Sequence, residues 1–199
     1  MRFRWMQSPA NLRPSPHDPH AFRALDLGLR DIDIGELTGA SAEKGPDECF
    51  VHKLFEMRLV LEPAAAELAA ARATKEELES IREAFTHMGQ HGDLNTNIED
   101  TSRFHDRISQ ATHNECLIQL NRILLAAMHD VQSMLRRPHH DATLILAAYK
   151  NLCEAIVLRC QARARTAMFD LVHEAEQNTL LALRRKIARK RSGKLELSR

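Results

Sequence analysis

Aromatic side chains are scarce in this chain, with one Trp, one Tyr and seven Phe among 199 residues. Leucine and alanine dominate instead, which favours helices packed on helices. A surplus of either charge is also missing. The formal net charge of +1 gives no whole-protein field to gather nucleic acid or anionic lipid, so any such role must rest on a local patch. No run reaches the roughly 18 apolar residues that a membrane span needs. The start carries Arg2, Arg4 and Trp5 with no apolar stretch behind them, which argues against a secretory signal. The four cysteines, Cys49, Cys116, Cys153 and Cys160, form neither a CxxC pair nor a finger-like spacing with histidine. They read as buried, reduced thiols of a cytoplasmic protein. A glycine-rich phosphate loop is lacking too.

What is present fits a soluble globular chain, with 44% hydrophobic and 28% charged residues. The length suits one good-sized domain with a small appendage. Composition changes near residue 47. Pro9, Pro14, Pro16 and Pro19, with Gly28, Gly35, Gly39 and Gly45, all lie before it, and both residue types resist regular structure. Residues 1–47 therefore read as an irregular N-terminal arm, residues 48–190 as a helical domain, and residues 191–199 as a basic tail.

Within that domain the periodicity predicts six helices and no strand, an all-α antiparallel bundle. The first spans about Glu48 to Ala71, with Pro63 imposing a kink or a break and restart. Thr74 and Glu77 have capping-box spacing and open a second helix, which ends near Gly89 and Gly92. A third runs from about Leu94 to Thr112. Asn114 is placed to cap a fourth, whose apolar stripe is Leu117, Leu120, Leu124, Ala127, Val131 and Met134. Pro138 ends it, and Asp141 is placed to cap a fifth through Leu158. The sixth covers about Gln161 to Lys190, with Ala164, Ala167, Met168, Leu171, Ala175 and Leu183 on its buried face.

Three pieces of sequence recur in one order. Arg58 and Glu62 stand one turn apart and lead into the alanine run from Ala64 to Ala73. Phe104-His105 is followed by Ala111-Thr112-His113-Asn114. Ala155-Ile156 then precedes Ala164 and Ala167-Met168. Together, over roughly residues 50–185, they resemble the C-terminal effector-binding (FCD) domain of FadR-type regulators in the GntR family. The resemblance implies a homodimeric transcriptional regulator that senses a small organic acid and is not an enzyme. It also implies a preceding winged helix-turn-helix that reads DNA. Residues 1–47 show neither two closely spaced helices nor a Ser-Arg-rich recognition segment, so the expectation is an effector domain without a complete reader.

The resemblance further implies a divalent metal, Zn, Ni or Mn, held by an aspartate and three histidines. Only His105 matches. Thr101, Tyr149 and Leu171 occupy the other positions, so no metal is expected. Asp100 lies five residues before His105, about 140° around the helix, and His173 points away from Leu171. Glu174, one turn from Leu171, would approach only with a tilt. What remains is a candidate carboxylate pocket of Arg58, Thr101, His105, Asn114 and Tyr149, with arginine gripping the carboxylate by paired hydrogen bonds. The alternative is a satisfied core, with Arg58 simply paired to Glu62 at i, i+4 spacing.

Other clusters read more plainly. His139-His140-Asp141 suggests an exposed helix cap rather than a metal site. Ser102, His105 and Asp106 share one helix in the wrong geometry for a nucleophile relay. The basic run Arg184, Arg185, Lys186, Arg189, Lys190, Arg191 and Lys194 is either a phosphate-binding patch or a solvated helix end. Two further functions stay open: a stand-alone interaction protein without effector or DNA binding, and a metal-dependent enzyme.

Overall fold

A computed structural model describes residues 46–90, 98–135 and 142–196, apart from the side chains of residues 90, 142 and 191–196. The described residues form six α-helices: α1 (Glu48–Arg72), α2 (Lys75–Gln90), α3 (Ile98–Gln110), α4 (Glu115–Met134), α5 (Ala142–Val157) and α6 (Gln161–Glu196). They contain no strand, and none of their helices is long and apolar enough to cross a membrane. The arm over residues 1–45, Gly92, Leu94, Pro138 and the His139-His140-Asp141 group lie outside the described residues.

The ends of the helices follow local chemistry. Asp47 caps α1 by accepting from the Phe50 amide at 2.7 Å, and Asn114 caps α4 by accepting from Leu117 at 3.2 Å. Thr74 and Glu77 form the reciprocal capping box at 3.2 and 2.8 Å. Helix α1 runs unbroken through Pro63, which is buried, so packing offsets the lost backbone donor. Helix α6 continues to Glu196, past the Lys190 end expected from the sequence.

Arg159 and His113 adopt left-handed backbone, with φ of 56° and 51°, and each sends its side chain to a neighbouring helix. Arg159 donates to the carbonyl oxygens of Ala70 and Ala73, satisfying the end of α1, and His113 meets Glu77 at 2.9 Å.

Helix α1 packs most extensively on α6. The alanines 65, 66, 69 and 70 of α1 and 164 and 167 of α6 are buried, and small side chains allow close approach. Three ion pairs mark the antiparallel register: Glu67–Arg165 at 2.7 Å, His52–Glu176 at 2.9 Å and Glu48–Arg184 at 3.0 Å. Val60 and Phe169 fall on the flank that the first two pairs bridge, with Met57 beside them, and all three are about half exposed.

Two expectations about burial need correction. Helix α4 is turned slightly from the expected stripe: Asn121, Met128 and Leu135 go inside, while Leu120 and Met134 are exposed. Leucine at 120 competes with asparagine at 121 for the core, and packing of the whole face decides against the more apolar residue. Among the cysteines only Cys153 is buried, and burial raises its thiol pKa to about 11. Cys49, Cys116 and Cys160 are exposed.

Candidate functional site

Besides Pro63, the buried positions of α1 are Val51, Leu54, Phe55, Arg58, Glu62, Ala65, Ala66, Ala69 and Ala70. They follow one helical stripe, and Arg58 and Glu62 occupy core positions within it. Two charges inside a helix stripe must satisfy each other or cost several kcal/mol, on the order of the penalty for an unpaired buried ion. Here they do. Arg58 donates through Nε to Glu62 Oε1 and through Nη2 to Oε2 at 3.2 Å. The guanidinium also lies 4.9 Å from the centre of the Phe55 ring.

His105 joins the pair from α3. Its Nδ1 stands 2.9 Å from Glu62 Oε2, although the contact is too poorly aligned to count as a hydrogen bond. Its Nε2 is 3.4 Å from the Tyr149 hydroxyl. Phe104 packs edge-on against both the His105 and Tyr149 rings, which fixes their planes. Burial alone would raise the pKa of the Glu62 carboxyl, but Arg58 and His105 outweigh it and hold it at about 2. Burial likewise opposes the Arg58 charge, and Glu62 more than compensates, so the guanidinium pKa is raised.

Arg58, Thr101, His105 and Tyr149 line one cavity of about 80 Å³. That volume holds several waters or a molecule of a few heavy atoms. Five helices contribute. Leu125, Met128, Gln132 and Leu135 come from one face of α4, and Leu171, Glu174, Ala175, Asn178, Thr179 and Ala182 from one face of α6. Ser102 of α3 and Ile145 of α5 complete the wall. Arg58 Nη1 has no partner among the described residues, which leaves donors for whatever enters.

Asn114 is not in this wall. Its side chain is committed to capping α4, and the N-cap sits at the helix end rather than beside the cavity. Several wall residues, Gln132, Asn178 and Thr179 among them, were not among the pocket residues read from the sequence. Asn178 and Thr179 could have been found from their spacing to Leu171, and Glu62, which holds Arg58 without lining the cavity, from its place in the apolar stripe. Glu174, expected to approach only with a tilt, does line the cavity.

A family model for the FCD domain matches residues 53–174. The chain belongs to the FCD domain family. This is the C-terminal domain of GntR/FadR-type regulators. The FCD domain is similar in fold to Streptococcus agalactiae GntR, at 21% identity and a TM-score of 0.53, over 76% of this chain and 63% of that one. It is also similar to E. coli McbR/YncC, at 17% identity and 0.60, over 68% and 66%. A third similar structure is the metal-free FCD domain of TM0439, at 20% identity and 0.58, over 70% of this chain and 97% of that one. The chain thus spans less than two thirds of the first two relatives. No curated protein matches it.

The donors at the family's metal positions do not fit a metal in this FCD domain. Thr101 Oγ1 donates to the Ile98 carbonyl at 2.9 Å, and Leu171 offers no donor atom. His105 has one nitrogen against Glu62 and the other near Tyr149. Asp100, the nearest aspartate on α3, is buried toward α2, where it meets His87 Nδ1 at 2.8 Å. His173 is exposed and stacks on Phe169. A single imidazole with hydroxyl and hydrocarbon neighbours makes a poor site for Zn, Ni or Mn.

Proposed function

We propose that this FCD domain is the effector-sensing and dimerising part of a GntR-type transcriptional regulator, and that it binds a small organic acid without a metal. One observation carries the reading. Arg58 is 5% exposed, its charge is stabilised by Glu62, and it lines a cavity shared by five helices. A guanidinium held rigid in a sheltered wall binds a carboxylate with little ordering cost. Because α1, α3, α4, α5 and α6 all line that cavity, a ligand there would bias their relative packing. In a dimer carrying DNA-binding heads, that bias would select between arrangements of the heads.

No catalytic role is assigned. Ser102 and His105 line the cavity, but Asp106 pairs with Gln110 and lies 3.6 Å from Arg122 instead. The homodimer is supported by the half-exposed flank of Met57, Val60 and Phe169, where α1 meets α6. Cytoplasmic location goes with this role.

The test is thermal unfolding with a panel of small carboxylates, with and without EDTA. A stabilising acid whose effect survives EDTA is expected. A shift that requires added Zn, Ni or Mn would sink the metal-free reading. If no acid acts while light scattering shows a dimer that Val60→Asp with Phe169→Asp dissociates, the domain is an interaction module without an effector.

A further inference from the structure

The cavity has an acidic group as well as a basic one. Glu174 lines it from α6 and has no hydrogen bond or ion pair among the described residues. The two charges differ in depth: Arg58 is buried, whereas Glu174 is exposed. The same wall carries the His105 imidazole, the amides of Gln132 and Asn178, and Thr179, whose hydroxyl donates to the Ala175 carbonyl. Such a wall offers a cationic donor at the inner end and a free carboxylate toward solvent.

That pairing bears on which acid enters. A plain monocarboxylate satisfies Arg58 Nη1 but brings a second negative charge toward Glu174. A dicarboxylate aggravates this, because its outer carboxylate faces the glutamate. A molecule with an ammonium group beyond its carboxylate removes both problems. Resting on the carboxylate reading above, we infer that the cavity selects a small zwitterion, with its carboxylate on Arg58 and its ammonium on Glu174, over plain and dicarboxylic acids. No bond is made or broken. The selection comes from charge placement alone. Since Glu174 is exposed, water screens the contact, and the preference is about fivefold rather than orders of magnitude.

Isothermal titration of the full chain with matched probes tests this. Glycine, β-alanine and γ-aminobutyrate step the charge separation, and acetate, propionate and butyrate are their deaminated partners. Succinate serves as the dicarboxylate. At least one zwitterion should bind about fivefold tighter than its partner acid at low salt, with the gap shrinking as salt rises. Glu174→Gln should erase the gap, and its exposure makes the change safe for folding. Acids that bind as tightly as the zwitterions, or a gap that persists in Glu174→Gln, would overturn this selection while leaving the carboxylate site standing. Binding by neither series would overturn both.

Discussion

Helix α3 buries two ionisable side chains, Asp100 and His105, on different sides, and the molecule treats them differently. Asp100 is turned to α2 and meets His87, whose side chain is 42% exposed, so water reaches one member of that pair. His105 is turned to α1 and meets Glu62, which is 2% exposed and already bound to Arg58. Five residues, about 140° of helix, separate a rim contact from a buried charge cluster. The consequence is chemical as well as energetic. A carboxylate at 101 would have shared the face of His105. At 100 it serves a different interface, and no group of three His, Cys, Asp or Glu donors placed for a metal assembles among the described residues.

The sharpest way to break this comparison is to strip one partner from each side. Glu62→Leu leaves the Arg58 guanidinium buried without a counter-charge, and the expected loss is about 3–5 kcal/mol in urea unfolding. Adding Arg58→Met should restore most of that loss, because apolar side chains of similar volume often replace a buried pair at little cost. A Glu62→Leu loss below about 1 kcal/mol would mean that Arg58 is solvated like a surface charge.

Acid should expose the same asymmetry. Glu62 titrates near 4.5 when unfolded and about 2 when folded. Its folded pKa is depressed, so its ionised form favours the folded state. That contribution is complete above about pH 4.5 and is lost as pH falls toward about 2. The stability gap between the wild type and Glu62→Gln should therefore narrow across that window. A gap that stays constant from pH 5 to the lower limit would contradict the assignment.

Asn121 supplies a third kind of buried polar group. It is 1% exposed, and both its amide oxygen and nitrogen lack a hydrogen-bond partner among the described residues. Removing an unsatisfied amide from the core recovers its desolvation cost, so Asn121→Leu should stabilise by about 1–2 kcal/mol in the same unfolding assay. Destabilisation would show that the amide has a role the charge cluster does not share.

Asn121 also shows where sequence reading stops. Six helices, the Thr74–Glu77 box and the Asn114 cap were legible, because periodicity and capping are local. The rotation of α4 was not, since Leu120 outranks Asn121 on hydrophobicity and only the packed face settles which goes inside. The cavity was half legible. Arg58, Thr101, His105 and Tyr149 share one wall, but periodicity names a face and not the helix opposite it. It could not show that Glu62 spans both Arg58 and His105, that Glu174 reaches the cavity, or that Asn114 stays outside.

The smallest effect belongs to the rim. His87→Ala removes the imidazole that meets Asp100, but solvent already reaches that ring and can take its place. A pair with one solvated partner contributes less than a fully buried one, about 1 kcal/mol, and less at high salt. The loss should therefore be several times smaller than for Glu62→Leu and should shrink further in 1 M salt, whereas the Glu62→Leu loss should respond less, because both members of the Arg58–Glu62 pair are buried and salt screens buried pairs weakly. Salt sensitivity is thus a cleaner discriminator than magnitude. Equal salt responses at the two sites would place them in the same environment and remove the distinction between the two faces of α3.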